Sequence, residues 1–184
     1  MNENKIVSAT DYNIQIWNVI NETCLEITAS IAKLIKLNEN KFASASKERI
    51  QIWDVMTGDC LKTLEGHLSN PYSLFAINEN KIVFKCASNK KIKIWSVIED
   101  TWLTLEGHSA PINRVIKIND HQIVSCDIYG LIKIWDTKTG NCLKTLEGHS
   151  QATYKLIKIN EYQIMSCSLD KSIRIWDLFD FDKE

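Results

Sequence analysis

Histidine, serine and aspartate recur along the chain, and together they are the residue types of a Ser-His-Asp catalytic triad. In such a triad the histidine takes the proton of the serine hydroxyl and the aspartate orients the imidazole, which makes the serine a nucleophile. The reaction also needs hydrogen-bond donors that stabilise an oxyanion, and no motif in this sequence supplies them. The aspartates are scattered among the ends of strand-like segments. The sequence therefore predicts that the protein is not an enzyme.

The six cysteines are the other candidate functional residues, as metal ligands, disulfide partners or free thiols. No Cys-x-x-Cys pair is present, so zinc binding is not expected, and we expect neither a metal nor a cofactor. Cys24, Cys60 and Cys142 each follow a tryptophan by seven residues, and Trp102 fills the same slot in another unit. A slot that accepts either Cys or Trp indicates apolar packing. The cysteines are therefore predicted to be buried free thiols.

Five tryptophans divide the chain into units of similar length, with gaps of 36, 42, 40 and 41 residues. Each tryptophan closes an alternating pattern such as Ile132-Lys133-Ile134-Trp135, which is typical of a β-strand. The isoleucines face one side of the strand and the tryptophan faces the other. Both faces therefore carry large apolar side chains that favour burial, so each sheet is expected to pack between two similar sheets. The five residues are Trp17, Trp53, Trp95, Trp135 and Trp176.

Each unit contains four strand-like segments. In the last complete unit they are predicted at Cys142 to Leu146, Tyr154 to Ile159, Gln163 to Cys167 and Ile173 to Trp176. The connection from Ser168 to Ser172 is so short that it joins neighbouring antiparallel strands. Turn residues interrupt the chain too often for helices. The sequence predicts an all-β fold of four-stranded antiparallel sheets, with 18 strands.

Length and charge restrict the classes of partner. The chain has 184 residues with 22 basic and 23 acidic side chains, and a single domain is the default at this length. The basic residues form no stripe of the kind that nucleic-acid binding requires. The sequence shows no signal-peptide pattern and no apolar run of membrane-spanning length. We expect an intracellular, cytoplasmic protein with neither a nucleic acid nor a membrane as its partner.

Two dipeptides recur in phase with the tryptophans: Gly-His precedes three units and Trp-Asp closes three. They are Gly66-His67, Gly107-His108 and Gly148-His149, and Trp53-Asp54, Trp135-Asp136 and Trp176-Asp177. By these motifs the chain resembles the WD-repeat β-propeller family, in which each unit forms a four-stranded blade. The resemblance implies one propeller domain of about 4.5 blades over residues 1–178, followed by an acidic tail at 179–184. The implied units are a partial blade at 1–20 and blades at 24–56, 60–98, 102–137 and 142–177.

The resemblance also implies a hydrogen-bond network inside each blade. In the family, a buried histidine, a strand serine or threonine, a turn aspartate and the tryptophan indole form a chain of bonds. The last blade of this sequence matches at every position, with His149, Ser166, Asp170 and Trp176. The preceding blade has Tyr129 at the aspartate position, with Asp127 within reach as a substitute. Its other members are His108, Ser125 and Trp135, and the blade before it has His67, Ser88 and Trp95.

In such a network the serine is buried behind an indole, which is a second argument against a catalytic triad. The second blade has Ser44 and Trp53 but no histidine, so its network is expected to be shorter. Each lost partner is expected to cost about 1 to 3 kcal/mol unless water compensates.

The first and last units of this sequence are incomplete. Asn2-Glu3-Asn4 matches the turn between the second and third strands of later units, and the last unit stops after its third strand. The ring is therefore expected to be incomplete or five-bladed, with exposed sheet edges that favour docking or aggregation. Eroded networks and missing strands favour a truncated or degenerate member over an obligate assembly. The expected partners are other proteins, including another propeller segment or a second copy that docks on an exposed edge.

By resemblance, the protein is expected to be a non-catalytic scaffold that binds a peptide or protein partner on the propeller face. Rigid, amphipathic tyrosines near the Gly-His turns suit such binding. The candidate residues are Tyr72, Asn113, Arg114, Tyr129, Tyr154 and Leu169. An alternative is that these side chains only plug the mouth of the channel.

Two further alternatives stay open. The short connections between strands are similar to those of F-box substrate receptors of ubiquitin ligases. Those receptors bind phosphate through arginines, and Arg114 would have that role here. The other alternative is a truncated or degenerate propeller fragment without an independent function.

Overall fold

The structure is a computed structural model that describes residues 4–29, 33–46, 49–65, 74–85 and 90–178. Within these residues the protein is all β, and its 18 strands pair in an antiparallel manner. The predicted fold class and number of strands are confirmed. The chain divides into two compact units, Met1–Cys86 and Ala87–Glu184.

The first unit has nine strands in its described residues. They are β1 (Lys5–Ala9), β2 (Asn13–Asn18), β3 (Thr23–Thr28), β4 (Lys33–Lys36), β5 (Lys41–Ala45), β6 (Arg49–Asp54), β7 (Cys60–Glu65), β8 (Leu74–Asn78) and β9 (Lys81–Lys85). One sheet has the order β1-β2-β3 and another the order β4-β5-β6-β7, while β8 and β9 pair as a hairpin. Every connection joins sequence neighbours, as the short turns predict.

The second unit has nine further strands in the part that the structure describes. They are β10 (Ile92–Ser96), β11 (Thr101–Leu105), β12 (Ile112–Lys117), β13 (Gln122–Asp127), β14 (Ile132–Asp136), β15 (Cys142–Leu146), β16 (Thr153–Lys158), β17 (Gln163–Ser168) and β18 (Ile173–Asp177). Strands β10 and β11 pair, β12-β13-β14-β15 form a four-stranded sheet, and β16-β17-β18 form a three-stranded sheet. The strands predicted for the last complete unit agree with β15 to β18 to within one residue at each end.

In each outer strand the first or second residue pairs with the tryptophan of the strand before it. Trp17 pairs with Cys24, Trp53 with Cys60 and Trp135 with Cys142. These three cysteines are exposed, so the prediction that they are buried is wrong. The reason is their position on the outermost strand of the sheet, where the neighbouring sheets give less cover. All five described cysteines are free thiols, as predicted, whereas Cys86 lies outside the described residues.

The cores form where the isoleucine face of one sheet meets the tryptophan face of the next. In the second unit, Ile132 and Ile134 of β14 belong to one buried cluster with Leu156 and Ile164 of the last sheet, and Trp176 packs against it. In the first unit, Ile14 and Ile16 of β2 cluster with Phe42, Trp53 and Val55. Burial on both faces of the same strand is the arrangement that the Ile-x-Ile-Trp pattern predicts.

Candidate functional site

The last sheet contains a chain of hydrogen bonds around His149. The Nδ1 atom of this histidine lies 2.7 Å from Asp170 Oδ2, and its Nε2 atom lies 2.7 Å from Ser166 Oγ. The indole of Trp176 donates to the same Ser166 hydroxyl at 2.7 Å. Ser172, which the sequence analysis missed, donates its hydroxyl to Asp170 Oδ1 at 2.6 Å. Its position in the sequence, two residues after Asp170, could have identified it as a partner of that carboxylate.

The sheet β12 to β15 has the same chain of bonds with a different carboxylate. His108 Nδ1 lies 2.7 Å from Asp127 Oδ2, and His108 Nε2 lies 2.6 Å from Ser125 Oγ, which accepts from Trp135 Nε1 at 2.7 Å. Tyr129, at the position where the family has its aspartate, is exposed. Asp127 is the last residue of β13 and reaches back to the histidine. The network therefore has all four bonding groups in both of the last two sheets.

The two networks differ in their electrostatics. Burial lowers the pKa of His108, and this effect exceeds the opposing effect of its hydrogen bond to Asp127. The pKa of Asp170 is held well below its usual range, first by the hydrogen bond from the Ser172 hydroxyl and then by those from His149 and from backbone amides. The neutral form of His108 and the ionised form of Asp170 are therefore the favoured states in the fold.

Each network has the residue types of a hydrolytic triad and the same order of hydrogen bonds, but its serine is not accessible to a substrate. A neutral histidine that donates from Nδ1 to the carboxylate presents Nε2 as an acceptor for the serine hydroxyl. In both sheets, however, the serine oxygen also receives the indole N–H, and Ser125 and Ser166 are fully buried. A substrate carbonyl has no path to an oxygen enclosed in this way. The arrangement braces the sheet and does not present a nucleophile.

The remaining network residues are placed differently. The indole of Trp53 donates to Ser44 Oγ at 2.8 Å, as the family pattern implies. The indole of Trp95 donates to Asp100 Oδ1 at 3.0 Å, in the turn between β10 and β11. Its predicted partners His67 and Ser88 lie outside the described residues.

Two of the candidate binding residues, Asn113 and Tyr154, lie at β-bulges. Strand β12 pairs Ile112 with Asp127 and Arg114 with Cys126, which leaves Asn113 as an extra residue. Strand β16 shifts register in the same way around Tyr154. A bulge changes the direction of a side chain relative to the regular ladder. The side-chain amide of Asn113 donates from Nδ2 to the Thr153 carbonyl at 3.0 Å and so joins the inner strands of two neighbouring sheets.

The other candidates lie close to these bulges. Tyr129 and Leu169 occupy the turns that follow β13 and β17, and both are exposed, as are Arg114 and Tyr154. The backbone amide of Leu169 donates to the carbonyl of Ala152, two residues before Tyr154, at 2.9 Å. The turn at Gly130 approaches the following sheet so closely that an added Cβ would lie 2.7 Å from the carbonyl oxygens of His149 and Gln151. Tyr72 lies outside the described residues.

The described residues contain no group of three or more His, Cys, Asp and Glu side chains that is arranged to hold a metal ion. Across the same ranges, no helix has the length and apolar character needed to cross a membrane.

Repeated antiparallel sheets, packed face to face and braced by His-Ser-Trp hydrogen bonds, define the chain as a β-propeller type of repeat protein. A family model described as WD40 (WD domain, G-beta repeat) matches residues 58–96, 100–136 and 140–177. These segments make up more than half of the chain, which therefore belongs to the WD40 repeat family.

Two curated relatives resemble part of the chain. The COMPASS component SWD3 of Saccharomyces cerevisiae is 34% identical over 85 residues, which are 45% of this chain and 27% of SWD3. The nuclear distribution protein nudF of Aspergillus niger is 33% identical over 90 residues, which are 45% of this chain and 20% of nudF. The matched regions thus span about a quarter and a fifth of these relatives.

Solved structures match over a larger share of the chain. The computationally designed Ika8 protein superposes with a TM-score of 0.74 at 26% identity, over 97% of this chain and 57% of Ika8. The computationally designed Ika4 protein superposes with a TM-score of 0.68 at 26% identity, over 82% of this chain and 92% of Ika4. U3-55K gives a TM-score of 0.74 at 18% identity, over 96% of this chain and 60% of that chain, which supports the fold alone.

Proposed function

We propose that the chain is a protein-interaction scaffold without catalytic activity. It binds a peptide or protein partner on a surface formed by Arg114, Tyr129, Tyr154 and Leu169, which we name the tyrosine surface. The observation that carries this proposal is the exposure of large amphipathic side chains on backbone that is fixed by buried hydrogen bonds. WD40 repeat proteins are generally interaction scaffolds, and one curated relative is named as a component of a complex.

Hydrogen bonds to Asp127 fix the turn that contains Tyr129. Asp127 Oδ1 accepts from the backbone amides of Tyr129 and Leu131, each at 3.0 Å, while Asp127 Oδ2 meets the buried His108. The exposed tyrosine is therefore attached directly to the network that braces the sheet. A side chain on fixed backbone loses little conformational entropy when a partner binds, which favours affinity.

Two hydrogen bonds support the grouping of these residues into one surface. Leu169 is bonded to the residues that lead into β16, where Tyr154 lies. Asn113, next to Arg114, is bonded to Thr153, next to Tyr154. Tyrosine offers both apolar area and a hydroxyl, and arginine offers up to five donors, so this surface suits a peptide with apolar and acidic side chains.

The buried position of both serines supports a non-catalytic role. The serine oxygens are buried and accept hydrogen bonds from indole N–H groups, whereas the residues of the tyrosine surface are exposed. The network therefore acts as the frame and the tyrosine surface as the contact.

A peptide selection tests this proposal. Random peptides displayed on phage are selected on the full chain, with counter-selection on a variant that carries both Tyr129→Ala and Tyr154→Ala. The affinity of a selected synthetic peptide is then measured by fluorescence polarisation for each single variant. We expect each replacement to weaken binding at least about tenfold, as is usual for a central aromatic contact.

Tyr162→Ala is the matched control. Tyr162 is also an exposed tyrosine, but it lies in the turn beyond the other end of β16. Its replacement should leave the affinity unchanged. Equal binding by the wild type and the Tyr129→Ala and Tyr154→Ala variants, with unchanged thermal stability, would exclude this surface.

A further inference from the structure

One face of the last sheet, β16 to β18, is exposed or half-buried, and it is apolar apart from Lys155, which pairs with Cys167. Ile173 is 66% exposed and Ile175 is 63% exposed, although both belong to the strand that carries a repeat tryptophan. Residues directly opposite each other in paired strands share a face of the sheet. Ile173 and Ile175 pair with Cys167 and Met165 of β17, and Met165 pairs with Ile157 of β16, so these residues lie on the same face. We name this the isoleucine face, and it consists of Ile157, Ile159, Met165, Cys167, Ile173 and Ile175.

An equivalent face is present 41 residues earlier, and there it is covered. Ile132 and Ile134, the equivalents of Ile173 and Ile175, are 0% and 2% exposed. They are buried in one cluster with Leu156, Ile164 and Leu178, and Trp176 packs against that cluster. The full equivalent set is Ile116, Ile118, Val124, Cys126, Ile132 and Ile134. The fold thus shows what covers a face of this composition, namely the tryptophan side of another sheet.

The first sheet exposes the complementary side. Trp17 is 40% exposed, whereas its equivalent Trp53, 36 residues later, is 5% exposed. Ile6 pairs with Trp17 across the sheet, and Val19 follows two residues after it; both are exposed. Their equivalents Phe42 and Val55 are buried with Trp53 against the isoleucines of β2. We name Ile6, Trp17 and Val19 the tryptophan face.

From these two faces we infer that the chain associates with a second copy of itself, head to tail. The isoleucine face of one copy packs on the tryptophan face of the other and repeats the contact that joins neighbouring sheets within each unit. The occupant is a second copy because this chain carries both halves of that interface, one on β16 to β18 and the other on β1 to β3. Such an interface is heterologous, so every copy in a pair keeps one free face, and the contact leads to a ring or to an open chain of copies.

This inference is independent of the tyrosine surface. The residues of the isoleucine face and of the tryptophan face are different from those proposed to bind a peptide. Loss of peptide binding and loss of self-association are therefore separate results, and neither variant set is expected to affect the other measurement.

Sedimentation velocity of the full chain over a wide range of concentration is the first measurement. We expect the mean mass to rise with concentration, because association follows mass action. A protein that stays monomeric at every concentration would overturn the inference.

Two single substitutions then test the pairing. Ile175→Lys places a charge in the isoleucine face, and Trp17→Lys places one in the tryptophan face. Each is expected to weaken association at least about tenfold, because an unpaired charge opposes burial. Ile98→Lys is the matched control, since Ile98 is an exposed isoleucine in the turn between β10 and β11, outside both faces. It should associate like the wild type.

A mixture of the two variants gives the sharpest result. The Ile175→Lys chain retains its tryptophan face and the Trp17→Lys chain retains its isoleucine face, so one of each should form a dimer that grows no further. Circular dichroism of each variant verifies that its fold is retained. If Ile175→Lys abolishes association while Trp17→Lys has no effect, the isoleucine faces pair with each other and the head-to-tail contact is wrong. A mixture that stays monomeric would contradict it as well.

Discussion

Asp127 and Asp170 receive the same hydrogen bond from different positions in their repeats. Each carboxylate lies 2.7 Å from the Nδ1 atom of a buried histidine. Asp127, however, ends strand β13, whereas Asp170 lies in the turn after β17. The residue 41 positions after Asp127 is Ser168, and the residue 41 positions before Asp170 is Tyr129. In the sheet β12 to β15 the strand residue Asp127 supplies the carboxylate. The turn position that holds aspartate in the last sheet is therefore occupied by Tyr129, which is exposed.

The first prediction concerns this exchange. Asp127→Ala should lower the free energy of unfolding by about 3 kcal/mol or more, because it removes the bonds to His108 and to the amides of Tyr129 and Leu131. Tyr129→Ala, two residues away and exposed, should change it by less than about 0.5 kcal/mol. Urea denaturation followed by tryptophan fluorescence measures both. Similar losses in the two variants would contradict the prediction that the structural role belongs to Asp127 and not to Tyr129.

The second prediction is a dependence of stability on pH. Burial lowers the pKa of His108 in the fold, so the unfolded chain binds a proton at this residue more readily than the folded chain does. The stabilising contribution is complete above the usual histidine pKa of about 6.5, and it is lost as the pH falls below that value. The slope is at most about 1.4 kcal/mol per pH unit for one histidine.

Asp170 extends the same trend to lower pH. Its pKa is depressed, so its contribution is present above the usual carboxyl pKa of about 3.9 and is lost as the pH falls toward the depressed value. Denaturation at a series of pH values measures both slopes. His108→Gln should flatten the slope just below about pH 6.5. A slope that survives His108→Gln would assign the proton to another group.

How far the sequence predicts this protein depends on the kind of interaction. The strands and their pairing follow from the Ile-x-Ile-Trp pattern and from short turns, and both are local properties of the chain. Four members of the network of the last sheet, His149, Ser166, Asp170 and Trp176, follow from the family motif, whereas Ser172 does not. The sequence indicates Asp127 only as a substitute for the turn aspartate. An alternating pattern predicts which face of the sheet a side chain lies on, but not whether the last side chain of a strand contacts a histidine outside that strand.

Other features depend on neighbours that the pattern does not describe. Cys24, Cys60 and Cys142 look apolar in sequence, but their slot lies on the outermost strand and is exposed. The bulges at Asn113 and Tyr154 each add one residue to a strand, which the alternating pattern does not predict. The exposure of Ile175 compared with Ile134 is invisible in the sequence, since the same Ile-x-Ile-Trp pattern surrounds both residues.

The third prediction separates backbone strain from close contact. Gly130 and Gly140 have φ angles of +87° and +79°, so an alanine is strained to a similar degree at either position. At Gly130 the added Cβ would lie 2.7 Å from two backbone carbonyl oxygens, whereas at Gly140 its three nearest atoms all belong to the flexible Leu103 side chain, the first of them at 3.0 Å. Gly130→Ala should therefore destabilise the protein clearly more than Gly140→Ala, by a difference of about 1 to 3 kcal/mol. Thermal and urea unfolding measure the difference, and equal losses would mean that the Gly130 turn moves freely away from the next sheet.

The last prediction concerns a buried hydroxyl. Thr153 Oγ1 is buried and has no hydrogen-bond partner among the residues that the structure describes. The residue 41 positions earlier is Ile112, which is also buried, so the fold accepts an apolar side chain at this position. Replacing a hydroxyl that has no partner with a methyl group removes a desolvation cost of about 1 to 3 kcal/mol. Thr153→Val should therefore leave the free energy of unfolding unchanged or raise it, whereas Ser166→Ala, which removes the acceptor of the Trp176 indole, should lower it. A loss of stability in Thr153→Val as large as that in Ser166→Ala would show that the threonine hydroxyl has a partner.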